Sequence, residues 1–317
     1  MRSLIGEAKN VIILPMATAY SEIASNKRKT YLLMFFFTLF VMVVAYIFTL
    51  ALGFRTDSAI ALLSGVFGFS ILANIGSFYY SDKIVIALSG AKPVEKKDAP
   101  QLYNAVENLT IAAGLPMPKV YIIDDAAPNA FATGRDPNHS AVAVTVGLLE
   151  KVDRLELEGV LAHELSHVKN YDMRLMTVVV VLVGVIAWLS YIFTRMLWFG
   201  GGDREERGGN PFILIFAVVA AILSPIAAQL IKLAISRKRE LLADSSAVVL
   251  TRNPEGLATA LEKISAYKKP VKNASGATAH LYISNPLGSK EFGGFLAGLF
   301  DTHPPLQERI KILRSME

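Results

Sequence analysis

His163, Glu164 and His167 stand together as His-Glu-Leu-Ser-His, a spacing with a definite chemical meaning. Two histidines four apart on a helix project from the same face, so both imidazoles can bind one metal ion. Glu164 follows the first of them directly. From there its carboxylate can take a proton from a water held at that metal, the chemistry of zinc-assisted hydrolysis. The pattern is short, and ordinary helix surfaces also carry His and Glu. What surrounds it decides its meaning.

The surroundings are those of a membrane. The chain has 317 residues, 53% hydrophobic and only 19% charged. Uncharged runs extend over Thr30–Phe54, Ser58–Tyr80, Leu175–Thr194 and Pro211–Ile231. Each meets the length of roughly 20 residues that a helix needs to cross a bilayer core. The expectation is an α-helical integral membrane protein with four transmembrane helices. Lys27, Arg28 and Lys29 precede the first run, Lys92, Lys96 and Lys97 lie in the segment after the second, and Lys232, Arg237, Lys238 and Arg239 follow the fourth. The two opposite connections are poorer in basic residues, so both termini and the middle segment are expected on the cytoplasmic side.

The expected division is an arm over 1–29, two spans over 30–80, a cytoplasmic block over 81–174, two spans over 175–235 and a second cytoplasmic block over 236–317. The arm's apolar run Val11–Leu14 is too short to span, which points to an interfacial or loosely ordered segment. The net charge of +5 is accounted for largely by residues flanking the spans, and no nucleic-acid motif is present. Cysteine is absent, so there is no disulfide framework and no thiolate site.

Within the first block, Ala99–Ala113 reads as a helix stopped at Gly114. Val120–Ile123, Ala130–Thr133 and Ala141–Val146 read as strands, with a turn over Gly134–Asn138. Asp153–Lys169 returns to helical period and carries the two histidines. The second block is mainly helical. Together they make a cytoplasmic α+β catalytic domain of zincin type.

A catalytic zinc takes three protein ligands and keeps one position open. Without Cys, the third must be His, Asp or Glu. His139, His280 and His303 are the other histidines, and Glu240 and Asp244 are the most suggestive carboxylates. If the third and fourth spans continue into the cytoplasm as helices, His163, His167 and Glu240 all lie within roughly 20 Å of one membrane face. Spacing alone leaves Glu240 equally readable as a solvated carboxylate in a basic cluster.

Several stretches in order carry more weight than any one of them. Asn129-Ala130-Phe131-Ala132-Thr133-Gly134, the run His163–Met173, Ser236–Glu240 leading to Ala243-Asp244, and Thr302-His303-Pro304-Pro305 with Arg309 resemble the HtpX-type membrane zinc metalloproteases. The resemblance covers the chain from about Tyr31 to its end. It implies one zinc ion held by His163, His167 and Glu240, with Glu164 as catalytic base. It also implies an endopeptidase of protein quality control and stress response, acting on misfolded membrane proteins and unfolded polypeptides at the cytoplasmic face. Leu241 stands where such proteins commonly have Tyr.

Around this core, Asp244 lies one helical turn past Glu240, placed to hydrogen-bond a ligand histidine. His303 precedes two prolines and either donates to the tetrahedral oxyanion or packs near the site. Arg309 is a partner for Asp244. Asn129, Ala130, Phe131, Ala132 and Thr133 form either an edge strand that pairs with substrate backbone or an ordinary strand of the sheet. His139 and His280 are expected to be structural or surface residues. A prenyl-protein protease, a site-2-type intramembrane protease and a non-catalytic scaffold are the competing readings. Lys169, Asp172 and Arg174 argue against a site inside the bilayer core, and an intact Glu164 argues against a scaffold.

Overall fold

The structure is a computed structural model, and it describes residues 16–51, 54–199, 237–287 and 304–316. The described residues begin with two long helices, α1 (Met16–Ala51) and α2 (Thr56–Ser89), packed as a pair. Both are long and apolar enough to cross a membrane. Their side chains are arranged inside out relative to a soluble hairpin. Tyr31, Phe35, Phe36, Phe67, Leu72 and Ile75 face outward, while Ser70, Asn74, Ser77 and Ser81 are buried. Asn74 donates to the Met34 carbonyl at 3.1 Å and to Thr38 Oγ1 at 2.7 Å, so polar groups join the two helices. Water does not favour that pattern. Lipid does, because there the apolar face is already solvated and polar groups must find partners in the protein.

α1 begins at Met16, well before the uncharged run starting at Thr30, so the latter part of the expected arm is helix continuous with the first apolar stretch. α2 likewise runs past Tyr80 to Ser89 and ends on Gly90, whose φ of 68° closes the last turn.

A four-stranded mixed sheet follows: β1 (Lys92–Pro93), β2 (Lys119–Ile123), β3 (Ala130–Asp136) and β4 (His139–Thr145), in the order β1-β2-β4-β3. β2 and β4 are parallel, and the outer pairs are antiparallel. β3 extends through Gly134 to Asp136, beyond the expected end at Thr133. The register shifts between Gly134 and Asp136. Gly134 has a φ of 141°, and a Cβ there would lie 2.2 Å from the His139 carbonyl oxygen. Only glycine fits that bulge, so a residue read from sequence as a turn signal is a kink inside the hairpin.

Helices α3 (Pro100–Ala113), α4 (Val146–Lys151), α5 (Arg154–Lys169), α8 (Pro254–Ala266) and α9 (Leu306–Arg314) pack with the sheet. Their shared core includes Leu102, Val142, Leu161, Leu165, Leu257 and Leu313. α5 starts with a capping box: Asp153 accepts from the Glu156 amide, and Glu156 accepts from the Asp153 amide. Gly159 lets α8 approach closely, since a Cβ there would meet the Leu257 amide nitrogen at 2.8 Å.

α5 ends in a tight turn in which Tyr171 has a φ of 59°. The chain then enters α6 (Asp172–Phe199) at 82° to α5. The helix bearing the two histidines is therefore not a straight continuation of the third apolar stretch. A left-handed residue ends the hydrogen-bonded ladder and swings α5 under the sheet. α6 packs against α1, α2 and β3 through a second core that includes Leu33, Phe37, Val85, Phe131, Val179 and Leu182. The fourth apolar run, Pro211–Ile231, lies outside the described residues. α7 (Arg237–Thr251) then lies directly against α5.

Candidate metal centre

α5 presents His163 and His167 one turn apart, and α7 brings Glu240 to them. His163 Nε2 and His167 Nε2 are 3.2 Å apart. Glu240 Oε1 lies 3.5 Å from His167 Nε2, and Glu240 Oε2 lies 3.8 Å from His163 Nε2. Zinc bonds of about 2.0–2.1 Å in tetrahedral arrangement separate donor atoms by roughly 3.3 Å. The three donors converge at the spacing one such ion requires, and all three residues are buried.

Each imidazole is fixed through its other nitrogen. His163 Nδ1 is 2.8 Å from Asp244 Oδ1, and His167 Nδ1 is 3.1 Å from Asp172 Oδ2. Each carboxylate accepts the Nδ1 proton and leaves the Nε2 lone pair pointing inward, the tautomer a metal ligand needs. Asp244 is in turn gripped by Arg309, which donates through Nε at 2.8 Å and Nη2 at 2.7 Å. Arg309 also donates to the Ile283 carbonyl at 3.0 Å and is 0% exposed.

Glu164 is buried on α5 near the Ala132 backbone of β3, whose polarity favours its charged form. Burial, with Glu240 nearby, pushes its pKa up to about 7. Burial and the Arg309 charge push His163 down to about 4, which keeps it neutral. Burial opposes charge on His167 as well, but its hydrogen bond to Asp172 and the charge of Glu240 outweigh it and raise His167 to about 9. For Asp244, burial is outweighed by Arg309 and His163, and the carboxyl falls to about 2.

The buried carboxylates Glu164, Asp172, Glu240 and Asp244 outnumber the buried guanidinium groups of Arg239 and Arg309 beside them, so the site favours a further cation. A dication at the three donors supplies that charge. The groups that draw a proton onto His167 would equally favour a metal cation there. The donor chemistry, spacing and charge all fit zinc.

The remaining sequence-predicted residues fall as follows. β3 is one of the two edge strands of the sheet, but Ile283 N donates to the Ala130 carbonyl at 3.0 Å and Phe131 bridges antiparallel to Tyr282. Asn129 Nδ2 donates to the Ser284 carbonyl at 3.0 Å, and Thr133 is 3.1 Å from Thr177, hydroxyl to hydroxyl. His139 is exposed and pairs with Asp136 at 2.8 Å. His280 is buried with Nε2 at 3.0 Å from the Met176 carbonyl. His303 lies outside the described residues. Sequence reasoning missed the orienting role of Asp172, whose charge it used only to place the site outside the bilayer. The signal available was an acidic residue just past the helix that carries the histidines.

The sequence profile of Peptidase family M48 matches residues 96–317, the part of the chain that holds every element of this centre. The chain belongs to this family. It is 43% identical over 303 residues to the Protease HtpX homolog of Caldanaerobacter subterraneus subsp. tengcongensis, across 94% of this chain and 98% of that one. It is 46% identical over 311 residues to the Protease HtpX homolog of Lactobacillus helveticus, across 94% and 99%. The Protease HtpX homolog of Dictyoglomus thermophilum is 46% identical over 300 residues, across 94% and 95%. Among solved structures, the crystal structure of S. mikatae Ste24p superposes with a TM-score of 0.48 at 19% identity, covering 94% of this chain and 67% of that one. This M48 chain is a membrane zinc metalloprotease.

Proposed function

We propose that the protein is a four-span membrane endopeptidase that cleaves misfolded or damaged membrane proteins and unfolded polypeptides at the cytoplasmic face. His163, His167 and Glu240 would hold its zinc, and Glu164 is its base. The observation that carries this is the convergence of three donors at 3.2–3.8 Å with Glu164 buried beside them.

Bound zinc polarises the scissile carbonyl and lowers the pKa of the attacking water. The chain's own residues do the rest. Asp244 and Asp172 hold the two imidazoles in one tautomer and one orientation. Glu164, buried beside the donors, accepts the proton of the attacking water and returns it to the leaving amine. Arg309 is completely buried and bonded to Asp244 and Ile283, which supports a role in holding the site together. Of the two readings of Asn129–Thr133, the contacts favour support: the edge at Ala130 and Phe131 is filled by Ile283 and Tyr282.

Placement at the cytoplasmic face is supported by α1. Lys27, Arg28 and Lys29 mark its positive end, and its neighbouring Asn26 reaches the turn after α5. The metal centre therefore lies on the same side as that basic cluster.

Removing the metal tests the catalytic reading. Treatment of the purified protein with 1,10-phenanthroline is expected to lower casein cleavage by about 100-fold or more, with recovery on adding zinc. Cleavage that proceeds unchanged in metal-free protein would rule out zinc chemistry at this centre.

A further inference from the structure

α1 carries two fully buried polar side chains, Asn26 and Thr30, and Asn26 lies at its contact with the metal-bearing helices. Asn26 is 0% exposed. Its Nδ2 donates to Asp172 Oδ1 at 2.6 Å and to the Asn170 carbonyl at 3.1 Å. Its Oδ1 accepts from Arg239 Nη1 at 3.4 Å. Asp172 uses its other oxygen, Oδ2, on His167 Nδ1. Arg239 directly precedes Glu240 on α7 and also lies 3.5 Å from Asp172 Oδ1. The adjacent Lys27 places its ammonium 4.3 Å from the centre of the Tyr171 ring, over the same turn.

We infer that Asn26 is a positioning residue of the metal centre, holding Asp172 so that His167 presents Nε2 to the ion. The inference rests on the ligand assignment proposed above. Its physical basis is the geometry of a carboxylate with two oxygens and one rotatable plane. Asp172 sits at the start of α6, just past a left-handed residue, where the backbone alone leaves its side chain free to turn. The Asn26 amide pins one oxygen, which fixes the direction of the other. The same amide touches Arg239, so one side chain of the first apolar helix joins the segments that carry His167 and Glu240. The residue lies 137 positions before His163 in the chain, and the metal-binding motif gives no hint of it.

Groups that orient metal ligands typically change metal affinity by 10- to 100-fold when removed. In full-length protein carrying Glu164→Gln to prevent self-digestion, zinc affinity measured by chelator competition is expected to fall about 10-fold in Asn26→Ala. Thr30→Val, which removes a buried hydroxyl bonded only to the Asn26 backbone carbonyl at 2.9 Å and leaves the Asn26 side chain in place, is expected to leave affinity within about twofold. In an Asp172→Ala background, Asn26→Ala is expected to add nothing, because its route to the metal is already cut. If Asn26→Ala does not yield folded protein, Asn26→Ser is expected to show the same loss, since its hydroxyl ends short of the carboxylate. Unchanged affinity in Asn26→Ala, an equal loss in Thr30→Val, or an undiminished effect without Asp172 would each overturn the inference. A parent protein that binds no zinc would instead overturn the ligand assignment.

Discussion

Glu164→Gln is expected to lower the rate of casein cleavage by about 10²- to 10⁴-fold while zinc content stays that of the parent protein. Gln has the shape of Glu and fills the same buried space. It cannot take a proton from water. None of the three donors is touched, and Asp244 and Asp172 still hold the imidazoles. The change therefore isolates proton transfer from metal binding. Activity equal to the parent's, with zinc bound, would remove Glu164 from the mechanism and with it the reading of this centre as proteolytic. Zinc loss in the variant would show instead that Glu164 helps to hold the ion.

Arg309→Ala carries the largest expected effect on stability. The guanidinium is completely buried, makes two hydrogen bonds to Asp244 and one to Ile283, and lies 3.8 Å from Glu240. Its removal leaves the buried Asp244 with His163 alone and no cationic partner, a change that typically costs about 3–5 kcal/mol. The expected result is a thermal midpoint roughly 5–15 °C lower, together with weaker zinc binding as His163 loses a fixed partner. Arg309→Lys is expected to recover little, because an ammonium cannot match the two-pronged geometry. A midpoint within a degree or two of the parent would mean that the pair contributes nothing net.

Much of the centre was legible in the sequence because its chemistry is local. His163, Glu164 and His167 share one helix, and a period of 3.6 residues places the two imidazoles together without knowledge of the fold. Glu240 was different: spacing left it ambiguous, and only family resemblance singled it out before α7 was seen to lie against α5. Asp172 was used for its charge and its role overlooked, because that role depends on a left-handed Tyr171 turning the chain by 82°. No sequence period encodes such a turn. Gly134 was read as turn punctuation, since a bulge and a turn ask for the same conformational freedom. The apolar stretches of α1 and α2 were legible by length, whereas the continuation of α1 back to Met16 was not. Asn26 there is polar and meets the turn after α5, and such a residue resembles part of an unstructured arm until its partner surface is known.

The measurement that bears most directly on the central claim is zinc stoichiometry and affinity in Glu240→Ala beside the parent protein and Glu164→Gln. The parent and Glu164→Gln are expected to hold one zinc per chain. Glu240→Ala is expected to bind it at least about 100-fold more weakly, since two imidazoles alone leave the tetrahedron half empty. If Glu240→Ala keeps zinc as tightly as the parent, the third ligand is another group, and the joining of α5 to α7 through one metal ion is wrong.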